Sequence, residues 1–267
     1  MMRALLAMTN RTWLKIGLRI LIIGVVCLNI IRRWLKALIK GSISFGSRQC
    51  RVRGMLDDKL FEEIKGRCEG FYRLSHHDKS HVERVYRLAL RIAEEEGGDV
   101  DLDVIRAAVL FHDVARAMED EGKIKDHAFE SAEIARKILL DVGFPREKME
   151  KVLYCIRVHR FRDDSKPNIL EAQILQDADR LDMLGAIGIA RVFNRGGWGN
   201  IPIHDPSIPP KEKYDGKSLT SVNHIYEKIL KIKDTINTRT GKRIAEERHK
   251  FVKQFLQRLL KEWKGEL

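Results

Sequence analysis

Apolar side chains return with a helical period over most of the chain. His81, Val85, Leu88 and Ile92 are offset by 4, 7 and 11 residues, and Leu102, Ile105, Val109 and His112 by 3, 7 and 10. Each set makes one stripe on a helix. The pattern predicts an amphipathic helix over Leu56–Phe71 and one from an N-cap at Asp78 to about Glu96, ended by Gly97-Gly98. Further helices are expected from Asp101 to about Arg116, from near Asp126 to Gly143 with Pro145 beyond it, and over Arg146–Arg160 and Asn168–Phe193. Residues Asn194–Lys217 hold four glycines and four prolines and read as one long irregular loop, of the kind that often forms a lid or binding loop. Two long helices follow, over Ser218–Asn237 and Gly241–Lys264. No segment alternates as a strand does and no repeat is visible, so the expected fold class is all-α.

Charge changes the picture at one place. Residues 1–54 carry eleven Lys and Arg and no acid. Setting these aside from the chain's 50 leaves 39 basic against 38 acidic residues. The body, 55–267, is therefore nearly neutral, and the high pI belongs to the N-terminal segment. With no helix-turn-helix or zinc-finger spacing either, no nucleic-acid partner is expected. Within that segment Ile20–Ile31 is apolar except for Asn29. Extended back to Trp13 it reaches nineteen residues, with Lys15 and Arg19 included. Three readings stand: a mis-assigned start with translation from Met55, a membrane anchor through residues 13–31, or a cleaved signal. The first two leave the body in the cytoplasm. Cys27, Cys50, Cys68 and Cys155 show no paired spacing and read as free thiols.

The chemistry lies in the stripes. His81 and His112 fall on the apolar sides of consecutive helices, Asp113 follows directly, and Asp179 lies in QDADRLD within an otherwise apolar helix. Buried carboxylates are costly unless paired or bound to a cation. Two imidazoles and two carboxylates converging there would make a nitrogen and oxygen site for a divalent first-row metal. Singly, each residue is more often a hydrogen-bonded core or capping group; the ordered set reverses that balance. Asp182, three residues after Asp179, is expected to orient Arg180 or to cap. No phosphate-binding glycine loop occurs.

The order His81, His112-Asp113 in LFHDVAR, and Asp179 in QDADRLD resembles the HD-domain metal phosphohydrolases. The segments DHAFESAEIA, IRVHRF, ILQDADRLDMLGAIGIARVF and SVNHIYEKIL resemble a small subgroup that includes nucleotide pyrophosphohydrolases, and the likeness spans about residues 56–264. It implies a helical bundle around a central metal held by His81, His112, Asp113 and Asp179. Manganese is the favoured ion, with Mg, Co, Ni, Zn or Fe as alternatives. Such a metal acidifies water and polarises a phosphoryl oxygen. His127 and His159 fall where binuclear members place ligands for a second metal, and would otherwise contact substrate. By position, Lys79, Arg116 and Arg160 are candidate cations for the developing charge. Glu130, three residues after His127, is a candidate proton relay, and His224 a candidate substrate contact. The implied reaction is hydrolysis of a phosphoanhydride or phosphoester bond in a small nucleotide, with pyrophosphate release from nucleoside triphosphates as one form. A regulatory module that binds metal and nucleotide without turnover, and an HD-type di-iron oxidase, are the alternatives. The sequence leaves the oligomeric state open.

Overall fold

The computed structural model describes residues 56–72, 79–160 and 167–267. All regular structure among them is helical. The elements are α1 (Asp58–Cys68) with a 3-10 turn at Glu69–Phe71, α2 (Lys79–Glu96), α3 (Leu102–Phe111), α4 (Arg116–Asp120), α5 (His127–Asp141) and α6 (Arg146–Arg157). They continue with α7 (Leu170–Asp182), α8 (Gly185–Trp198), α9 (Ser221–Glu227), a 3-10 segment at Ile229–Thr235, and α10 (Arg239–Trp263). No helix of the described residues is long and apolar enough to cross a membrane. The candidate anchor at 13–31 and the Asp78 cap lie outside the described residues.

The apolar stripes meet as their period requires. α2 packs on α3 and α7, α3 on α6 and α7, and α5 on α6. Val85, Ile92, Ile105, Leu153, Ile156, Ile174 and Leu175 are fully buried between them. At about 25 cal/mol per Å² of apolar surface removed from water, this shared core is what holds the helices in register. Side chains fix the helix starts. The Asp101 carboxylate accepts from the Asp103 and Val104 amides, and Asp126 accepts from the Ala128 and Phe129 amides at 2.9 and 3.1 Å. Asp177, turned to the other side of α7, accepts from the Asn237 and Thr238 amides at 2.8 and 2.7 Å and so ties α10 to α7. Cys68 and Cys155 are buried free thiols, as expected.

Three helices are shorter than their periodicity predicts. The helix expected to run to Arg116 stops at Phe111, and residues 112–115 form a turn closed by a bond from the Ala115 amide to Ser131 Oγ at 3.1 Å. The helix expected over Asn168–Phe193 divides at Met183-Leu184, where Gly185 takes φ +75°, a conformation that side chains with a Cβ rarely adopt. A Cβ on Gly188 would lie 2.1 Å from the Met183 carbonyl, so the corner needs both glycines. The helix expected over Ser218–Asn237 breaks at Lys228, whose φ −124° and ψ −58° leave the helical region, and continues as the 3-10 segment. The glycine- and proline-rich stretch begins later than predicted, after Trp198. It is pinned rather than free: buried Glu227 accepts from the Lys211 amide at 2.9 Å, and Asn223 donates to the Ile208 carbonyl at 3.1 Å.

Candidate metal centre

All six predicted ligands sit at or near helix ends. His81 is in the first turn of α2, and His127 opens α5 behind the Asp126 cap. His112 and His159 each follow a helix C-terminus, where backbone carbonyls lack intrahelical partners. Each turns back on one of them. His112 Nδ1 donates to the Val109 carbonyl at 2.8 Å, and His159 Nδ1 to the Ile156 carbonyl at 2.6 Å. Gln176 holds the second turn by donating to the Val158 carbonyl at 3.0 Å. Asp113 comes from the turn after α3, and Asp179 from the last turn of α7.

The other two imidazoles are oriented by carboxylates. His81 Nδ1 donates to Asp182 Oδ2 at 2.7 Å, and His127 Nδ1 to Glu119 Oε2. A carbonyl or an ionised carboxylate can only accept, so all four Nδ1 atoms carry the proton. In a neutral imidazole so held, Nε2 is the nitrogen left to offer a lone pair. The four Nε2 atoms converge: His81 Nε2 lies 3.4 Å from His112 Nε2, and His127 Nε2 lies 3.3 Å from His159 Nε2. Between the two pairs sits Asp113, only 7 % exposed. Its Oδ2 lies 3.7 Å from His81 Nε2 and 3.5 Å from His112 Nε2. Its Oδ1 lies 3.2 Å from His127 Nε2 and 3.6 Å from His159 Nε2. Asp179 Oδ1 adds to the first pair, 3.4 Å from His81 Nε2.

With the imidazoles neutral, their lone pairs and the carboxylate oxygens facing them repel, and a divalent cation reverses the sign of that interaction. The donor set, imidazole and carboxylate without thiolate, suits a first-row divalent ion. Imidazoles held through the far nitrogen by carbonyls and carboxylates are also the usual arrangement around bound metal. Two groups, His81 with His112 and Asp113, and Asp113 with His127 and His159, bring their donor atoms close enough to hold an ion each.

The surroundings are charged and paired. Burial works against ionised Asp179, but His81 and His112 hold its carboxyl below the usual range. Asp182 is also buried, and hydrogen bonds from His81 and Arg84 hold it well below that range. Arg84 Nε and Arg191 Nη1 both reach Asp182 at 2.7 Å. Asp182 therefore orients His81 rather than Arg180, which donates instead to the Thr235 carbonyl. Asp179 and Asp182, one turn apart, take opposite nitrogens of one imidazole.

The remaining expectations divide. Arg116 pairs with Glu119 and Asp120, both at 3.1 Å, and Arg160 with Glu119 at 2.8 Å and Asp126 at 2.9 Å. Both arginines thus border the centre but are engaged by carboxylates. Lys79 does not reach it, being half-exposed and bonded to Glu69 at 2.6 Å. Two residues before His81 on a helix is about 200° around the axis, which accounts for the miss. The Glu130 carboxylate makes no hydrogen bond or ion pair among the described residues; Glu119 takes the place beside His127. His224 lies in α9, where burial, then Lys228 and Arg195, push its imidazole down to about 3. Glu119 and Lys228 were not singled out by sequence. Burial, then the charge of Arg195, pulls the Lys228 ammonium down to about 8, opposed by Asp179.

Known proteins share this fold and part of its sequence. The chain is 34% identical over 195 residues to the uncharacterized protein YpgQ of Bacillus subtilis strain 168, covering 72% of this chain and 86% of that one. A crystal structure of an HD-superfamily hydrolase from Bacillus thuringiensis superposes with a TM-score of 0.62 at 34% identity, covering 78% of this chain and 98% of the other. The crystal structure of B. subtilis YpgQ in complex with ADP gives 0.59 at 30% identity, with 76% and 97% covered. The HD domain profile matches residues 79–184, which contain His81, the His112-Asp113 doublet and Asp179. By these matches and by its own geometry, the chain belongs to the HD-domain superfamily of metal-dependent phosphohydrolases.

Proposed function

We propose that the protein hydrolyses a phosphoanhydride or phosphoester bond in a small nucleotide, with pyrophosphate release from a nucleoside triphosphate as the favoured form. The observation that carries the reading is the convergence of four imidazole Nε2 atoms on the two oxygens of Asp113. The complex of the related YpgQ with ADP supports a nucleotide ligand. His81, His112, Asp113 and Asp179 would hold one divalent ion, manganese by preference, and His127 and His159 with Asp113 a second. Bound metal supplies the Lewis acidity that activates water and a phosphoryl oxygen. Asp182 and Glu119 fix the tautomer and angle of His81 and His127, and Arg116 and Arg160 fix Glu119. In the reaction a water oxygen bonds to phosphorus, and the bond to the bridging oxygen breaks. The leaving group keeps that electron pair, and the proton passes to solvent.

The test is incubation with manganese and a panel of nucleoside mono-, di- and triphosphates and cyclic nucleotides, resolving phosphate from pyrophosphate, with Asp113→Ala alongside. Metal-dependent turnover lost in the variant is expected. Bound metal with no turnover across the panel would favour the regulatory module instead. Because His127 and His159 do come together, metal analysis is part of the test: two irons per chain would favour the di-iron oxidase.

A further inference from the structure

A cavity of about 170 Å³ lies between α1, the first half of α2 and α3. Its walls include Phe61, Tyr72, Val82, Tyr86 and Leu110. None of the six residues of the metal centre lines it. The helix period explains the space. Lys79, Val82 and Tyr86 are offset by 3 and 7 residues and share one face of α2, and the middle of that face carries only the small Val82. Lys79, at the rim, is half-exposed and pairs with Glu69 at 2.6 Å. Val82 and Leu110 are buried, and the Tyr72 hydroxyl donates to the Leu110 carbonyl, which fixes its ring as one wall.

Arg106 of α3 supplies the charged part of the wall. Its guanidinium carbon lies 3.8 Å from the centroid of the Phe61 ring, its Nε donates to the Tyr86 hydroxyl at 2.9 Å, and its Nη2 donates to Asp58 at 2.7 Å. The guanidinium is therefore held between two of the aromatic walls. Its remaining nitrogen, Nη1, is buried and has no hydrogen-bond partner among the described residues. A buried donor left unmet is costly, more so when it is charged. The apolar walls have an unmet demand of their own, because atoms facing a void lose their dispersion contacts. An apolar cavity of about 150 Å³ takes up one benzene, so the space here admits one ring with a small substituent. Three aromatic side chains suit a flat ring by edge and face contacts, and a guanidinium suits a carboxylate.

We infer that this cavity binds a single-ring aromatic carboxylate, with the ring among Phe61, Tyr72 and Tyr86 and the carboxylate on Arg106. Such a ligand carries no phosphorus and sits apart from the metal centre, so it is an effector and not a substrate. The inference is independent of the hydrolase reading, and its test uses no turnover. Benzoate and its uncharged counterpart benzene are titrated calorimetrically into the manganese-loaded full chain. Wild type, Val82→Phe and Arg106→Gln are compared, with metal content and thermal midpoint measured for each. The wild type is expected to bind benzoate saturably and at least about tenfold more tightly than benzene. Val82→Phe, whose added ring fills the cavity, is expected to abolish both bindings and raise the thermal midpoint. Arg106→Gln is expected to bring benzoate down to the level of benzene. Absence of saturable benzoate binding in the wild type overturns the inference. Undiminished benzoate binding in Val82→Phe overturns it too, because the anion is then held elsewhere, the manganese included. Equal affinity for the two probes in the wild type overturns the carboxylate assignment. Leu110→Phe fills the same space from α3 and serves if Val82→Phe does not fold.

Discussion

Replacing Asp182 with Asn keeps the shape of the side chain and removes its charge. In the native protein this carboxylate, 1 % exposed, receives His81 Nδ1, Arg84 Nε and Arg191 Nη1, each at 2.7 Å. An amide oxygen can take one or two of these donors, and its NH2 group must then face a guanidinium. Breaking a buried ion pair on one side costs about 3–5 kcal/mol. Here the Arg84 and Arg191 side chains remain 24% and 16% exposed, so water recovers part of their solvation. The expected loss is about 2–3 kcal/mol, read by urea unfolding of the metal-free protein. The second consequence is specific to function. Without the carboxylate, His81 is a weaker and less well aimed donor, and loss of such a partner typically lowers metal affinity about 10- to 100-fold, or about 1.4–2.7 kcal/mol. Asp177→Asn is the comparator. It lies in the same helix and is equally buried, but its partners are Asn237 and Thr238 rather than an imidazole. It is expected to lose stability and keep manganese affinity. Manganese binding of wild-type strength in Asp182→Asn would refute the argument that His81 is a ligand set by Asp182.

Two further outcomes follow from the geometry. His127→Ala is expected to halve the manganese bound per chain at saturation while the His81 side still fills; unchanged stoichiometry by metal analysis would show that His127 and His159 hold no ion of their own. The His224 imidazole, at 6.5 when unperturbed, is pushed down to about 3 in the fold, so between those values the unfolded chain binds the extra proton. Stability is therefore fully present above pH 6.5 and falls with acid at up to about 1.4 kcal/mol per pH unit. Metal-free His224→Gln should show a flatter acid limb in unfolding measurements, and an identical limb would rule His224 out.

The helices and the meeting of His81, His112, Asp113 and Asp179 were legible because both depend on local period. A stripe of apolar residues names the buried face, and a histidine or aspartate on it must meet a partner. The helix breaks were less visible. Apolar periodicity runs straight through Met183–Gly188, and the corner is permitted by Gly185 at φ +75° and by the lack of a Cβ on Gly188 beside the Met183 carbonyl. Glu119 carries no signal of its own, because its role arises where Arg116, Arg160 and His127 come together from separate parts of the chain. Lys228 reads as one more solvated lysine until α8 and α9 enclose it. Lys79 shows the opposite error, since nearness to a motif in sequence says little about the side of a helix a residue occupies.

The end of α3 at Phe111 has a mechanical meaning. Adjacent residues in a continuing helix point about 100° apart and drift away from any common target. Here the backbone turns immediately after the helix, and two neighbours in sequence become neighbours in one cluster: His112 on its first half, Asp113 on both. The two halves therefore share a pivot of four residues. A displacement of that pivot cannot retune one half alone, so the centre responds to strain as a single body.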